Sequence, residues 1–108
     1  MFGFFKVNED LFFEELLKDD MDIDKIEKYI NKGVNINKKD EKGQTILFSL
    51  AAKRKLEALK ILIKNGANLT LEDLHRKTVL DEVVDRNDGI MIRFLLDNGF
   101  NINHKNNS

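Results

Sequence analysis

The stretch over residues 40–68 reads DEKGQTILFSLAAKRKLEALKILIKNGAN, and it decides the fold. Its opening, residues 40–43, predicts a tight turn in which the glycine takes the positive φ. Thr45 follows as an N-cap, with a hydroxyl that can accept an orphan backbone N–H. Residues 46–52 then predict a short helix, and residues 55–65 a longer one. The stretch is therefore predicted to form a turn followed by two helices.

The same pattern recurs along the chain with a fixed period. Gly33, Gly66 and Gly99 are spaced by 33 residues twice, and each follows apolar residues at i, i+3 and i+4. A glycine in this position supplies the left-handed residue just past the end of a helix. Two further pairs keep the period: Thr45 with Thr78, and Leu47 with Leu80. Helices this short are unstable alone, so the three units must stack on one another.

The middle unit resembles an ankyrin repeat, for which the pattern is D-x-x-G-x-T-P-L-H-x-A-A, an apolar helix and then G-A-D. The matching residues are Asp40, Gly43, Thr45, Leu47, Ala51, Leu62, Gly66 and Ala67. The resemblance implies an all-α fold, an ankyrin-type solenoid of stacked helix-turn-helix repeats with projecting β-turn loops. It implies one domain over residues 1–103, with repeats at about 9–37, 40–70 and 73–103. Residues 104–108 are polar and are predicted to form a disordered tail.

Several positions depart from the family pattern. Ile46 and Val79 stand in place of proline, Phe48 and Asp81 in place of histidine, and the Gly-His between the helices is lost in every unit. Arg76 replaces the glycine of the third turn, which predicts that this turn is distorted or more mobile. The first unit has no recognisable turn, and its first helix, at about residues 9–18, is predicted to cap the stack.

The composition is that of a soluble globular protein without thiol chemistry. Of 108 residues, 42% are apolar and 34% are charged, and cysteine is absent. Lys6 and the polar residues 8–10 interrupt the aromatic N-terminus, which therefore does not read as a secretory signal. No apolar run approaches the length of a membrane span. We expect a cytoplasmic protein that is not bound to membranes.

The residues that could carry catalysis or bind metal do not form a recognisable site. His75 and His104 have no partner residues at ligand or catalytic spacing. Asp20, Asp22 and Asp24 alternate as in a calcium loop, but Lys25 and Asn31 stand where the glycine and glutamate of that loop belong. No phosphate-binding glycine motif occurs. We predict no cofactor, no metal and no enzymatic activity.

Charge is distributed in bands along the chain. Net charge is −4 over residues 1–33, +5 over residues 34–66 and −2 over residues 67–108. Nucleic acids favour one continuous basic stripe, so this pattern makes them an improbable ligand. Alternating bands suit a protein partner, for which charge complementarity sets orientation. The acidic residues of the third unit, Asp81, Glu82 and Asp85, are read as a solvated face, with an acidic concave surface as the alternative.

Both ends of the chain carry apolar residues with two possible roles. Five phenylalanines lie within the first 13 residues: Phe2, Phe4, Phe5, Phe12 and Phe13. They either cap the first unit or form an aromatic anchor for a partner. At the other end, Ile90, Phe94 and Phe100 either pack locally or mark a contact between two copies, because terminal repeats normally have a polar outer face.

By the resemblance, partners are held by the turn tips and the first helices. The positions that this implies are Glu41, Lys42, Gln44, Ser49, Ala52, Lys53, Leu74, His75, Lys77, Glu82, Asp85 and Arg86. We single out Leu74, an apolar residue on a turn tip. The predicted function is non-catalytic protein binding, as an adaptor or as an inhibitor of a partner protein. The alternatives are a self-associating homodimer and, less favoured, a nucleic-acid binder.

Overall fold

The computed structural model describes residues 8–98, which form six helices and no strand. The helices are α1 (Glu9–Leu17), α2 (Ile23–Asn31), α3 (Ile46–Ala52), α4 (Leu56–Lys64), α5 (Val79–Asp85) and α6 (Gly89–Asn98). The all-α, three-unit prediction is confirmed, with helix ends within one residue or so of those read from the sequence. None of these helices is long and apolar enough to cross a bilayer.

The helices form two layers around one apolar core. The first helices α1, α3 and α5 contact one another in a row, and each also packs against the second helix of its own unit. The core is one continuous cluster to which every unit contributes, for example Phe12, Leu50, Leu62 and Leu95. Each short helix therefore gains its stability from neighbours, as expected for stacked repeats.

Side chains cap the starts of α2 and α5 but not that of α3. Asp22 accepts a hydrogen bond from the Lys25 N–H at 3.2 Å, and so caps α2. Thr78 and Asp81 form a reciprocal capping box at α5. Thr45 occupies the N-cap of α3 but accepts no side-chain hydrogen bond, so that detail of the prediction is wrong. The reason lies three residues on, where Phe48 offers no carboxylate and its N–H already bonds the Thr45 carbonyl at 3.1 Å.

The connections between paired helices are rigid without the glycine of the family pattern. Arg54 and Asn87 take the positive φ there, at 57° and 56°. The Arg54 guanidinium donates two hydrogen bonds to Asp88, at 2.8 and 2.9 Å. Lys55 pairs with Asp19 of the first unit. The middle connection therefore contacts both neighbouring units through ion pairs on the edge opposite the turns.

The first unit combines an aromatic cluster with a buried carboxylate. Phe12 is fully buried, and its ring centroid lies 5.6 Å from Tyr29 and 5.7 Å from Phe13. Glu15 is buried beside them and accepts hydrogen bonds from the Asp22 N–H at 2.7 Å and from Lys18 at 3.1 Å. These two donors, the backbone one first, lower the pKa of Glu15. Phe12 is thus part of the core.

Several predictions fall on residues outside the described range. They concern Phe2, Phe4, Phe5, Gly99, Phe100, His104 and the tail at residues 104–108. Within the range, Gly33 and Gly66 have φ values of 93° and 96°, which confirms the left-handed residue after α2 and α4. At the other end of the stack, Phe94 is buried and Ile90 is 61% exposed.

Candidate functional site

The turn before α3, residues 40–43, is held by its own first residue. The Asp40 carboxylate accepts the backbone N–H groups of Lys42 at 2.8 Å and Gln44 at 2.9 Å. The Asp40 carbonyl accepts the Gly43 N–H at 2.9 Å, and the Asp40 N–H donates to the Gln44 carbonyl at 2.9 Å. Gly43 has a φ of 79°. We call this the second turn, because it belongs to the second unit.

The third turn, residues 73–76, repeats this geometry despite its missing glycine. The Asp73 carboxylate accepts the N–H groups of His75 at 2.8 Å and Lys77 at 3.0 Å, and Arg76 takes a φ of 64°. The predicted distortion of this turn is therefore wrong. The aspartate fixes the turn, and arginine tolerates the left-handed conformation at a modest energetic cost. The Lys77 N–H is the main cause of the lowered pKa of Asp73, which is also buried.

Three hydrogen bonds join the second turn to the third. The Leu74 N–H donates to the Lys42 carbonyl at 3.0 Å. The Gln44 amide donates to Asp73 at 3.3 Å, and the Lys39 ammonium donates to the Glu72 carbonyl at 2.9 Å. The two turns therefore form a small stacked unit with a fixed backbone, which holds the side chains at its tip in a defined arrangement.

The tip of the stacked turns presents one large apolar side chain among charged ones. Leu74 is 72% exposed, although its own backbone is hydrogen-bonded. Glu41 and Lys42 of the second turn and His75 of the third turn are also exposed. Exposed apolar residues held on a rigid backbone lose little entropy on binding, and so they favour contact with a partner.

Two of the three acidic residues of α5 are paired with neighbouring cations, and the third caps the helix. Asp85 forms an ion pair with Lys77, and Glu82 accepts a hydrogen bond from Arg86 at 2.8 Å. Asp81 takes part in the capping box of α5. This face of α5 therefore carries ion pairs, and the sequence reading of a solvated face fits it better than an acidic concave surface.

A groove of about 280 Å³ lies between α1, the second turn and the start of α3. We call it the turn groove. The lining residues are Asp10, Phe13, Lys38, Lys39, Asp40, Glu41, Gln44, Thr45, Ile46 and Ser49. Its floor is apolar where Phe13 and Ile46 contribute, and charged groups surround it.

The predicted contact positions separate into groups in the structure. Glu41, Gln44 and Ser49 line the turn groove, whereas Leu74 and His75 lie at the tip of the third turn. Two more positions, Ala52 and Lys53, lie at the C-terminal end of α3, and the remaining charged positions of the third unit belong to its ion pairs.

Sequence reasoning missed the contribution of the first unit to this surface. Asp10 and Phe13 of α1 line the turn groove together with Lys38 and Lys39. The available signal was the absence of turn residues before α1. Within residues 8–98, the side of the second turn that faces the first unit therefore has no neighbouring turn to stack on.

Residues 8–98 contain no group of three or more His, Asp or Glu side chains that could hold a metal ion. The functional groups gathered at the turns are backbone amides, ion-paired side chains and one exposed leucine.

Six short helices in stacked pairs, with turns projecting from one edge, define a helical repeat solenoid. The family model described as "Ankyrin repeats (3 copies)" matches residues 14–106. The chain therefore belongs to the ankyrin repeat family, as the sequence predicted. Ankyrin repeats generally mediate protein–protein interaction and are typically non-catalytic. A search of curated proteins finds no significant match.

Proposed function

We propose that this chain is a non-catalytic binding module that holds a partner protein at its stacked turns, acting as an adaptor or as an inhibitor. The observation that carries the proposal is Leu74, a leucine 72% exposed on a turn whose backbone is fixed by hydrogen bonds to the second turn. An apolar side chain held in solvent on an ordered backbone loses little entropy on binding, which supports a contact role for Leu74.

The surrounding charges support a protein partner over a nucleic acid. Lys42 and Glu41 flank the anchor on the second turn, and His75 follows it on the third. Opposite charges this close together suit a partner with complementary charges. A phosphate backbone would instead meet carboxylates on the same surface.

The test is affinity capture from the native host, comparing the natural chain with the double variant Leu74→Ala/Lys42→Glu. We expect the captured partner to bind the double variant about tenfold or more weakly, because an apolar contact is lost and a neighbouring charge is reversed. Circular dichroism checks that the helical content is unchanged.

A matched control makes the same kinds of substitution, one apolar residue to alanine and one lysine to glutamate, at sites away from the stacked turns. Ile90→Ala/Lys60→Glu removes an apolar side chain that is 61% exposed at the start of α6 and reverses an exposed charge on α4. This control is expected to bind as the natural chain does. Unchanged affinity in Leu74→Ala/Lys42→Glu would exclude the stacked turns as the contact surface.

Self-association is the second candidate, and the exposed end of the third unit supports it. Val84 is 51% exposed there, whereas the equivalent residue of the middle unit, Ala51, is fully buried against the next unit. Leu96 is 41% exposed on α6. Light scattering over a range of concentrations tests this candidate, because a mass that doubles with concentration would support the homodimer.

A further inference from the structure

The second turn offers on its near side the same hydrogen-bonding groups that the third turn uses to stack. The period of 33 residues makes Glu41, Asp40 and Lys39 the equivalents of Leu74, Asp73 and Glu72. In the third turn these groups are a backbone N–H, a carboxylate oxygen and a carbonyl, and all three bond to the second turn.

In the second turn the equivalent groups are unused within residues 8–98. The Glu41 N–H and the Lys39 carbonyl make no hydrogen bond to the described chain. The Asp40 carboxylate uses only Oδ1 for its own turn, which leaves Oδ2 without a partner there. All three residues line the turn groove.

We propose that the turn groove receives a tight turn of the partner protein, which stacks on the second turn as an additional turn of the solenoid. This inference rests on the proposed protein-binding function and specifies the chemistry of the partner. A carbonyl of the partner's turn accepts the Glu41 N–H, as the Lys42 carbonyl accepts the Leu74 N–H. A side chain just after that turn donates to Asp40, as Gln44 donates to Asp73.

The charges of the groove specify that donor as lysine or arginine. Lys39 is already engaged with the Glu72 carbonyl, and Lys38 lies 4.0 Å from Glu9. The carboxylates of Asp10, Asp40 and Glu41 have no ion pair among the described residues. The groups left over are therefore acidic, and a basic side chain complements them.

The fold also restricts the shape of the occupant. Helix α1 already occupies the helical layer beside α3, since α1 and α3 are in contact. A second copy stacking its third unit here would bring α5 and α6 into the space of the first unit. Only a slender turn, without helices packed directly behind it, fits between α1 and the second turn.

Amide hydrogen exchange in the full chain gives the first test. Leu74 and Glu41 are equivalent amides, and Leu74 donates to Lys42 whereas Glu41 has no described acceptor. We expect the Leu74 amide to exchange slowly and the Glu41 amide at the rate of an exposed one. Protection of both would overturn the proposal. The chain's own N-terminal residues would then be the occupant if protection is independent of concentration, and a second copy if it rises with concentration.

Binding of a turn probe gives the second test. The probe is a backbone-cyclised peptide that copies residues 39–45 with Gln44→Lys, added to the isotope-labelled full chain. We expect saturable shifts of the Glu41 amide signal, and an affinity about tenfold lower in Asp40→Asn, because this change keeps Oδ1 and replaces the accepting Oδ2 with a donor. The same peptide with Gln44→Glu is the charge-reversed control and is expected not to bind.

The outcomes separate this inference from the proposed function. No shift at Glu41 with millimolar peptide, or equal affinity of Asp40→Asn and the natural chain, overturns the turn groove as a docking site. A captured partner that depends on Leu74 but not on Asp40 would do the same while leaving the proposed function standing. A probe that binds in the absence of any captured partner would leave the groove chemistry standing and count against the proposed function.

Discussion

The second and third turns have the same backbone but reach it with different residues. Gly43 and Arg76 occupy equivalent positions, with φ values of 79° and 64°. A Cβ added to Gly43 would lie 2.9 Å from the Leu74 nitrogen, whereas the Arg76 side chain is 88% exposed. Gly43 is therefore needed mainly because the third turn packs closely against it, and less because of its positive φ.

Replacement of Gly43 is expected to have the largest effect and would test this difference directly. Gly43→Ala combines the cost of a left-handed residue with a clash against the backbone of the third turn, so we expect a loss of about 2–3 kcal/mol of unfolding free energy. Gly66→Ala is the matched control, because Gly66 has a φ of 96° and no atom within 4 Å of an added Cβ. It is expected to cost about 1 kcal/mol.

Urea denaturation followed by circular dichroism measures both values. Equal losses in the two variants would contradict the packing explanation and leave only the dihedral angle. A larger loss in Gly43→Ala also predicts faster amide exchange at Leu74, since that amide donates across the two turns.

The two turn aspartates give a second comparison, which depends on pH. Asp73 is buried and accepts hydrogen bonds from Lys77, His75 and Gln44, and the Lys77 N–H is the main cause that lowers its pKa from the ordinary value of 3.8. A carboxyl with a lowered folded-state pKa stabilises the fold above its unfolded pKa. That stabilisation is lost as the pH falls below 3.8 and passes the folded-state value.

Asp73→Asn is therefore expected to lower stability at neutral pH and to lose less than the natural chain on acidification. Unfolding free energies measured from about pH 7 to pH 3 would converge between the two proteins at the acidic end. Asp40→Asn is the control, because it places an amide at the same position of the second turn. Asp40 is exposed and its carboxylate accepts two hydrogen bonds, whereas that of Asp73 accepts three. Parallel pH profiles for Asp73→Asn and the natural chain would contradict the assignment.

The sequence predicted the helices and the turns because both follow local rules. The bounds predicted for α1, α3 and α4 agree with the structure within one residue. Thr45 and Thr78 look alike in sequence, yet only Thr78 forms a capping box. The difference depends on the third helical residue, which is Phe48 in one case and Asp81 in the other.

The turn groove could not be predicted because it joins segments distant in sequence. Phe13 and Ile46 share its floor only once α1 packs beside α3. The family pattern directs attention to turn tips and first helices, and so it indicated Glu41, Gln44 and Ser49 but not Asp10 and Phe13, which also line the groove. The position of a residue within its repeat predicts whether that residue is exposed. What lies beside the second turn depends instead on the first unit, which lacks a recognisable turn.

Replacement of Arg76 is expected to have the smallest effect on stability, and to stabilise the fold where replacement of Gly43 destabilises it. Arg76→Gly removes the cost of a left-handed arginine, which stabilises the folded state by about 1 kcal/mol. The glycine also raises the conformational entropy of the unfolded chain, which offsets somewhat less than that amount. The ion pair of Arg76 with Glu72, at 3.9 Å and exposed, contributes little. We expect a net stabilisation of about 0.5 kcal/mol in urea denaturation. A loss above 1 kcal/mol would show that the Arg76 side chain packs against something, and the third turn would then resemble the second in needing its neighbour.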